Sequence, residues 1–84
     1  MTTTKRLPVE FRLHDSGDMF AFFPTQRHGV DSNTRVAYAP DEGHVPCHVD
    51  YAYSAALIDR PEVYKPLLDE LKGMGYELKV MNPL

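Results

Sequence analysis

The sequence predicts an α+β domain in which a mainly antiparallel sheet of four to five strands carries one C-terminal helix on one face, in the order β-β-β-β-α-β. Three observations lead there. Several short segments alternate apolar and polar residues at period two and are separated by Gly, Pro and Asp clusters, the pattern of half-buried strands. A later segment repeats its apolar residues at i, i+3, i+4 and i+7, the pattern of an amphipathic helix. The 84 residues, 43% hydrophobic and 25% charged, suffice for a single core and no second one. Residues 1–84 are therefore read as one domain.

Residues 1–7 are polar, lack periodicity and read as a flexible leader, with Pro8 marking the start of ordered structure. Val9, Phe11 and Leu13 then alternate with Glu10, Arg12 and His14, which predicts a strand over residues 8–14. The Asp15-Ser16-Gly17-Asp18 cluster reverses the chain. The return strand runs from Met19 to Phe23 and is apolar on both faces, so it belongs in the centre of the sheet. Pro24 is expected to end it, leaving residues 24–33 as a solvated loop that offers Arg27 and His28 to a partner. Thr34 to Ala39 make a third strand, and Pro40-Asp41-Glu42-Gly43 make the next reversal.

Val45 to Tyr53 alternate again, with Cys47, Val49, Tyr51 and Tyr53 opposite His44, His48, Asp50 and Ala52. Pro46 removes a ladder donor and assigns this strand to an edge or a bulge. Residues 52–58 fit either state, since their alanines favour helix and their position favours an extended arm. Asp59 and Glu62 form an Asp-x-x-Glu start signal with Pro61 in the first turn. Tyr64, Leu67, Leu68, Leu71 and Met74 supply the apolar stripe, while Pro66 is expected to kink or delay the helix. Gly75 ends it, and Tyr76, Leu78 and Val80 face inward from a final strand.

Nine Lys and Arg against twelve Asp and Glu give a formal charge of −3. The excess of acid falls in residues 36–84, which disfavours binding to phosphate-rich partners. A lone cysteine, Cys47, permits no internal disulfide and fits a reducing compartment. No window approaches the roughly 18 apolar residues of a membrane span. The expected location is the cytoplasm, without membrane association.

The succession Phe11-Arg12, Gly17-Asp18-x-x-Ala21-Phe22-Phe23-Pro24, Ala37-Tyr38, Gly43-His44, Asp50-Tyr51 and the long stretch from Pro61-Glu62-x-Tyr64 through Gly75-Tyr76-x-Leu78-x-Val80 resembles a family of small uncharacterised proteins of bacterial prophages and other mobile elements. The likeness spans roughly residues 9–80 and departs from the family where Glu42-Gly43-His44 replaces a Gly-Gln-His cluster. It implies a bacterial or phage cytosol and carries no statement about catalysis.

His44, Cys47, His48 and Asp50 form the densest set of potential metal ligands. Zinc needs its ligands at about 2.0–2.3 Å from one point, yet a straight strand separates His44 from His48 by about 13 Å and turns Cys47 to the opposite face. No metal is therefore expected, although His48 and Asp50 share a face and can pair. Cys47 has no histidine aimed at it as a base. Gly73-x-Gly75 lies at a helix end, whereas phosphate cradles precede a helix start.

With one helix on the sheet, the opposite face is expected to be open, so that Phe20 and Phe22 require cover from a loop, a second subunit or a partner. The expected function is a non-catalytic protein-interaction or inhibitory module using that exposed sheet face. Its binding residues would be Phe20, Phe22, Arg12, Arg27, His28 and Arg35, with no cofactor. The partner would be another protein, or a second copy in a homodimer. Two alternatives make other forecasts: a metal- or His-dependent small enzyme working through His44, His48 and Asp50, and a single-stranded nucleic-acid binder in which arginines flank exposed aromatic rings.

Overall fold

The computed structural model describes residues 6–14, 16–29 and 32–82. Its elements are β1 (Leu7–Leu13), β2 (Met19–Arg27), β3 (Thr34–Ala39), β4 (Gly43–His48), α1 (Val49–Ser54), β5 (Ala56–Leu57), α2 (Pro61–Gly73) and β6 (Leu78–Val80). The strands form one sheet in the order β4-β3-β2-β1-β5, with β6 also paired to β1. All pairings are antiparallel except β1 with β6, which is parallel through Leu7↔Leu78 and Val9↔Val80. The fold is α+β with a mainly antiparallel sheet and one main helix, as the alternating segments and the apolar stripe predict. No helix among the described residues is long and apolar enough to cross a membrane. Most of the leader expected over residues 1–7 lies outside the described residues; its last residue, Leu7, opens β1.

The pleat sends Val9, Phe11, Ala21, Phe23 and Tyr38 to one face, where Tyr64, Leu67 and Leu71 of α2 meet them. Phe11 stacks on Tyr64 with ring centroids 4.5 Å apart and planes at 4°, and Phe23 stacks on Tyr76 at 5.4 Å. The helix starts at Pro61, preceded by Arg60 as N-cap without a side-chain cap bond. This corrects the start at Asp59: proline has its φ preset for the first helical position and donates no N–H there. Pro66 sits inside the helix without ending it. Gly75, at φ 100°, makes the turn from α2 toward β6, a conformation that costs other residues roughly 1–2 kcal/mol.

Two segments depart from expectation. β2 does not stop at Pro24 but continues to Arg27, and its register with β3 jumps from Phe23↔Val36 to Arg27↔Arg35. Pro24, Thr25 and Gln26 thus bulge out, where a missing N–H breaks no ladder bond, and the Pro24 carbonyl accepts a 2.9 Å bond from Arg35 Nε. The strand expected from Val45 to Tyr53 stops at His48, and α1 follows. Its start is set by His48, whose Nδ1 accepts the Asp50 N–H at 3.2 Å.

The second departure has the larger consequence. Val49, Ala52 and Ala55 recur every third residue and pack with Phe20, Phe22, Ala37 and Cys47 into a second core. The face opposite α2 is therefore closed by α1, and Phe20 and Phe22 are 3% and 0% exposed. The open sheet face expected to display them does not exist. An extended chain over residues 49–54 would have left both rings wet, at a cost of about 1.5–3 kcal/mol each.

A last device seals β1. Its outer edge is met by β5 at Arg12 and Leu13 and by β6 at Leu7 to Val9, so the backbone of Phe11 falls between them. Buried Asn82 fills the gap: its Oδ1 accepts the Phe11 N–H at 2.8 Å, and its Nδ2 donates to the carbonyls of Phe11 at 2.8 Å and Ile58 at 2.7 Å.

Candidate functional site

In an antiparallel meander, alternate turns fall at the same end of the sheet. Here those are the β1–β2 turn, with Ser16, Gly17 and Asp18, and the β3–β4 turn, with Pro40, Asp41 and Glu42. Two adjoining hollows open at that end, of about 520 and 400 Å³, and both are lined by His14, Ala39 and Glu42. The 400 Å³ hollow lies on the α1 side. Phe20, Ala37, Val45 and Cys47 give it an apolar floor, and Tyr51 and His48 stand at its wall. The other is ringed by Ser16, Asp18 and Asp41. Asp18, Asp41 and Glu42 are exposed, and among the described residues no lysine or arginine lines either hollow.

The wall is built from aromatic contacts. His14 lies 4.6 Å from the Phe20 ring and 5.1 Å from the Tyr51 ring, and the Tyr51 hydroxyl is hydrogen-bonded to His14 Nδ1. α1 is too short to bury its own tyrosines: Tyr51 is 48% and Tyr53 57% exposed. Tyr53 meets the edge of Phe22 at 5.9 Å and carries the Arg12 guanidinium over its ring at 5.0 Å. Tyr51 thus stands at the hollow's wall, and Tyr53 sits on the same short helix over Phe22 and Arg12.

The arginines assigned to binding are otherwise engaged. Arg12 is 9% exposed; its Nε and Nη2 bond to Glu10 Oε1 at 2.9 and 2.7 Å, and its Nη1 donates to the Ala55 carbonyl at 2.8 Å. It anchors the end of α1 to the sheet and presents nothing to a ligand. Arg35 is half-buried and donates to the carbonyls of Pro24, Ser32 and Thr34, which fixes the β2–β3 connection. Arg27 and His28 are exposed, but at the opposite end of the sheet from the hollows. The basic and aromatic face expected of a nucleic-acid binder is absent, because its rings are buried and two of its arginines are consumed by Glu10 and by backbone carbonyls.

His44, Cys47, His48 and Asp50 do not converge. His44 turns toward α2, with its ring 5.0 Å from Tyr38 and its Nε2 2.6 Å from the Tyr76 hydroxyl. Cys47 turns toward α1, and its thiol donates to the His48 carbonyl at 3.7 Å. Burial pushes that thiol up from its ordinary pKa, with Arg12 opposing weakly, so the sulfur is held as SH and is a poor nucleophile. His48 and Asp50 come within 3.8 Å, as a helix cap rather than as two residues of a strand. Among the described residues no three His, Cys, Asp or Glu side chains are grouped to hold a metal ion.

Beside α2, the Tyr38 hydroxyl donates to a Glu70 carboxylate oxygen. That bond, with burial and the Glu70 charge adding to it, raises the Tyr38 pKa. The contact ties β3 to the helix.

Sequence reasoning missed Tyr51, His14 and the acidic turns as one constellation. The signal was present: both predicted reversals are rich in Asp and Glu, and their placement two turns apart in a meander brings them to one end. Compared with protein-family models, with curated proteins and with solved structures, the chain matches none.

Proposed function

We propose that this chain is a non-catalytic protein-interaction or inhibitory module of a bacterial or phage cytosol, docking its partner through the α1 face rather than through a bare sheet. The observation that carries the reading is that Tyr51 and Tyr53, both about half-exposed, stand on one six-residue helix, with Tyr51 at the wall of an open hollow. Tyrosine offers large contact area at low entropy cost and is enriched where proteins meet. A protonated thiol turned to a carbonyl and a histidine engaged as a helix cap favour binding over nucleophilic chemistry. Engagement of Arg12 and Arg35 within the fold favours protein over nucleic acid as the partner.

The test is affinity capture from the native host with three versions of the chain: wild type, Tyr51→Ser with Tyr53→Ser, and Val63→Ser, which alters an exposed residue on α2. Circular dichroism establishes that each is folded. A partner retained by wild type and Val63→Ser but lost with the tyrosine pair is the expected result. A partner set unchanged by the loss of both tyrosines overturns the reading.

A further inference from the structure

We infer that the hollow between α1 and the β3–β4 turn receives an apolar side chain of a partner protein flanked in sequence by lysine or arginine, an inference that rests on the interaction reading above. Three features of different chemistry select this occupant. The floor over buried Phe20, Ala37 and Cys47 is apolar and reaches solvent through half-buried Val45 and exposed Pro46, so it gains by desolvating a hydrocarbon or ring, and the volume of about 400 Å³ lies in the range of sites that enclose a ligand group. Glu42 stands at its rim, Asp18 and Asp41 line the hollow that adjoins it, and among the described residues no lysine or arginine lines either, which attracts positive charge and repels an acidic segment. Tyr51, half-exposed at the wall, offers a ring for a cation to rest on. The rim residues sit on tight turns between paired strands, so the carboxylates are held in place before a partner arrives and little order is lost on docking.

The test titrates two blocked peptides, acetyl-Gly-Phe-Arg-Gly-amide and acetyl-Gly-Phe-Glu-Gly-amide, into the ¹⁵N-labelled chain while amide shifts are followed. The arginine peptide is expected to move the amides of Glu42, Val45 and Tyr51 saturably, and to bind about fivefold more tightly than its glutamate counterpart, the size that a few exposed charge contacts supply. Asp41→Asn with Glu42→Gln, both exposed substitutions, should erase most of that preference. Equal affinity of the two peptides at the hollow overturns the charge rule while leaving an interaction module in place. Shifts from neither peptide, with partner capture still dependent on Tyr51 and Tyr53, overturn the hollow as the contact point and spare the proposed function. Shifts at the hollow that depend on protein concentration without peptide overturn the inference in favour of a second copy of the chain.

Discussion

Asn82→Ala tests the architecture most sharply, because one side chain closes the gap between two strands that each cover only part of β1. The substitution removes three buried hydrogen bonds of 2.7–2.8 Å. The Phe11 carbonyl keeps its 3.0 Å bond from the Ile58 N–H, so the principal losses are at the Phe11 N–H and the Ile58 carbonyl. Each buried group left unsatisfied costs about 1–3 kcal/mol, giving a total of about 2–6 kcal/mol for the two. A chain of this length has on the order of 4–13 kcal/mol of stability altogether, so the variant should be severely weakened. In urea, with a slope of about 1 kcal/mol/M for a small domain, the midpoint should fall by roughly 2 M or more. Asn82→Asp keeps the volume and the acceptor for Phe11 but turns an oxygen toward two carbonyls, and should be at least as damaging at neutral pH. A midpoint drop under about 0.5 M in Asn82→Ala, with the Phe11 amide still protected from hydrogen exchange, would show that the seal contributes nothing and refute the reasoning.

Other outcomes follow from the same contacts. Phe22→Ala should cost about 3–5 kcal/mol, because the ring is fully buried under α1; a loss below about 1 kcal/mol in chemical denaturation would place the helix elsewhere. Because burial raises the Cys47 pKa, alkylation by iodoacetamide should run slower than with a free thiol peptide at pH 8 and reach the peptide's rate in denaturant; equal rates in the native state would contradict the burial. Tyr38 should ionise above its ordinary value of 10 in a near-ultraviolet titration, and Glu70→Gln should bring the midpoint back down. With the folded pKa raised, the stability this pair contributes is complete below pH 10 and is lost as pH climbs through the folded value. An unchanged midpoint in Glu70→Gln would remove the Tyr38–Glu70 bond from the account.

What could be read from the residues alone was whatever repeats locally. The alternation of Val9, Phe11 and Leu13, the two-faced apolarity of Met19 to Phe23, the edge position signalled by Pro46 and the stripe from Tyr64 to Leu71 all correspond to elements that are present. What could not be read depended on distant partners. Residues 49–54 show period two to the eye, through Val49, Tyr51 and Tyr53, and period three through Val49, Ala52 and Ala55. The choice between them is made by Phe20 and Phe22, some thirty residues earlier, which need a lid. Arg12 reads as a solvent-facing strand residue until Glu10, Tyr53 and the Ala55 carbonyl close over it. Asn82 carries no local signal at all, since its partners lie 71 and 24 residues away. The hollow fared similarly: its carboxylates were visible as turn residues, and only the strand order brings them together.

Pro46 has a consequence for how a partner can arrive. β4 is one boundary of the sheet, and with a proline in its middle it offers a broken row of donors to any incoming ribbon. On the other boundary, two short pieces and an asparagine amide take up the main-chain valences of β1. Neither flank therefore invites β-augmentation or edge-to-edge polymerisation. Recognition is left to side chains, which carry sequence information that a backbone ladder lacks.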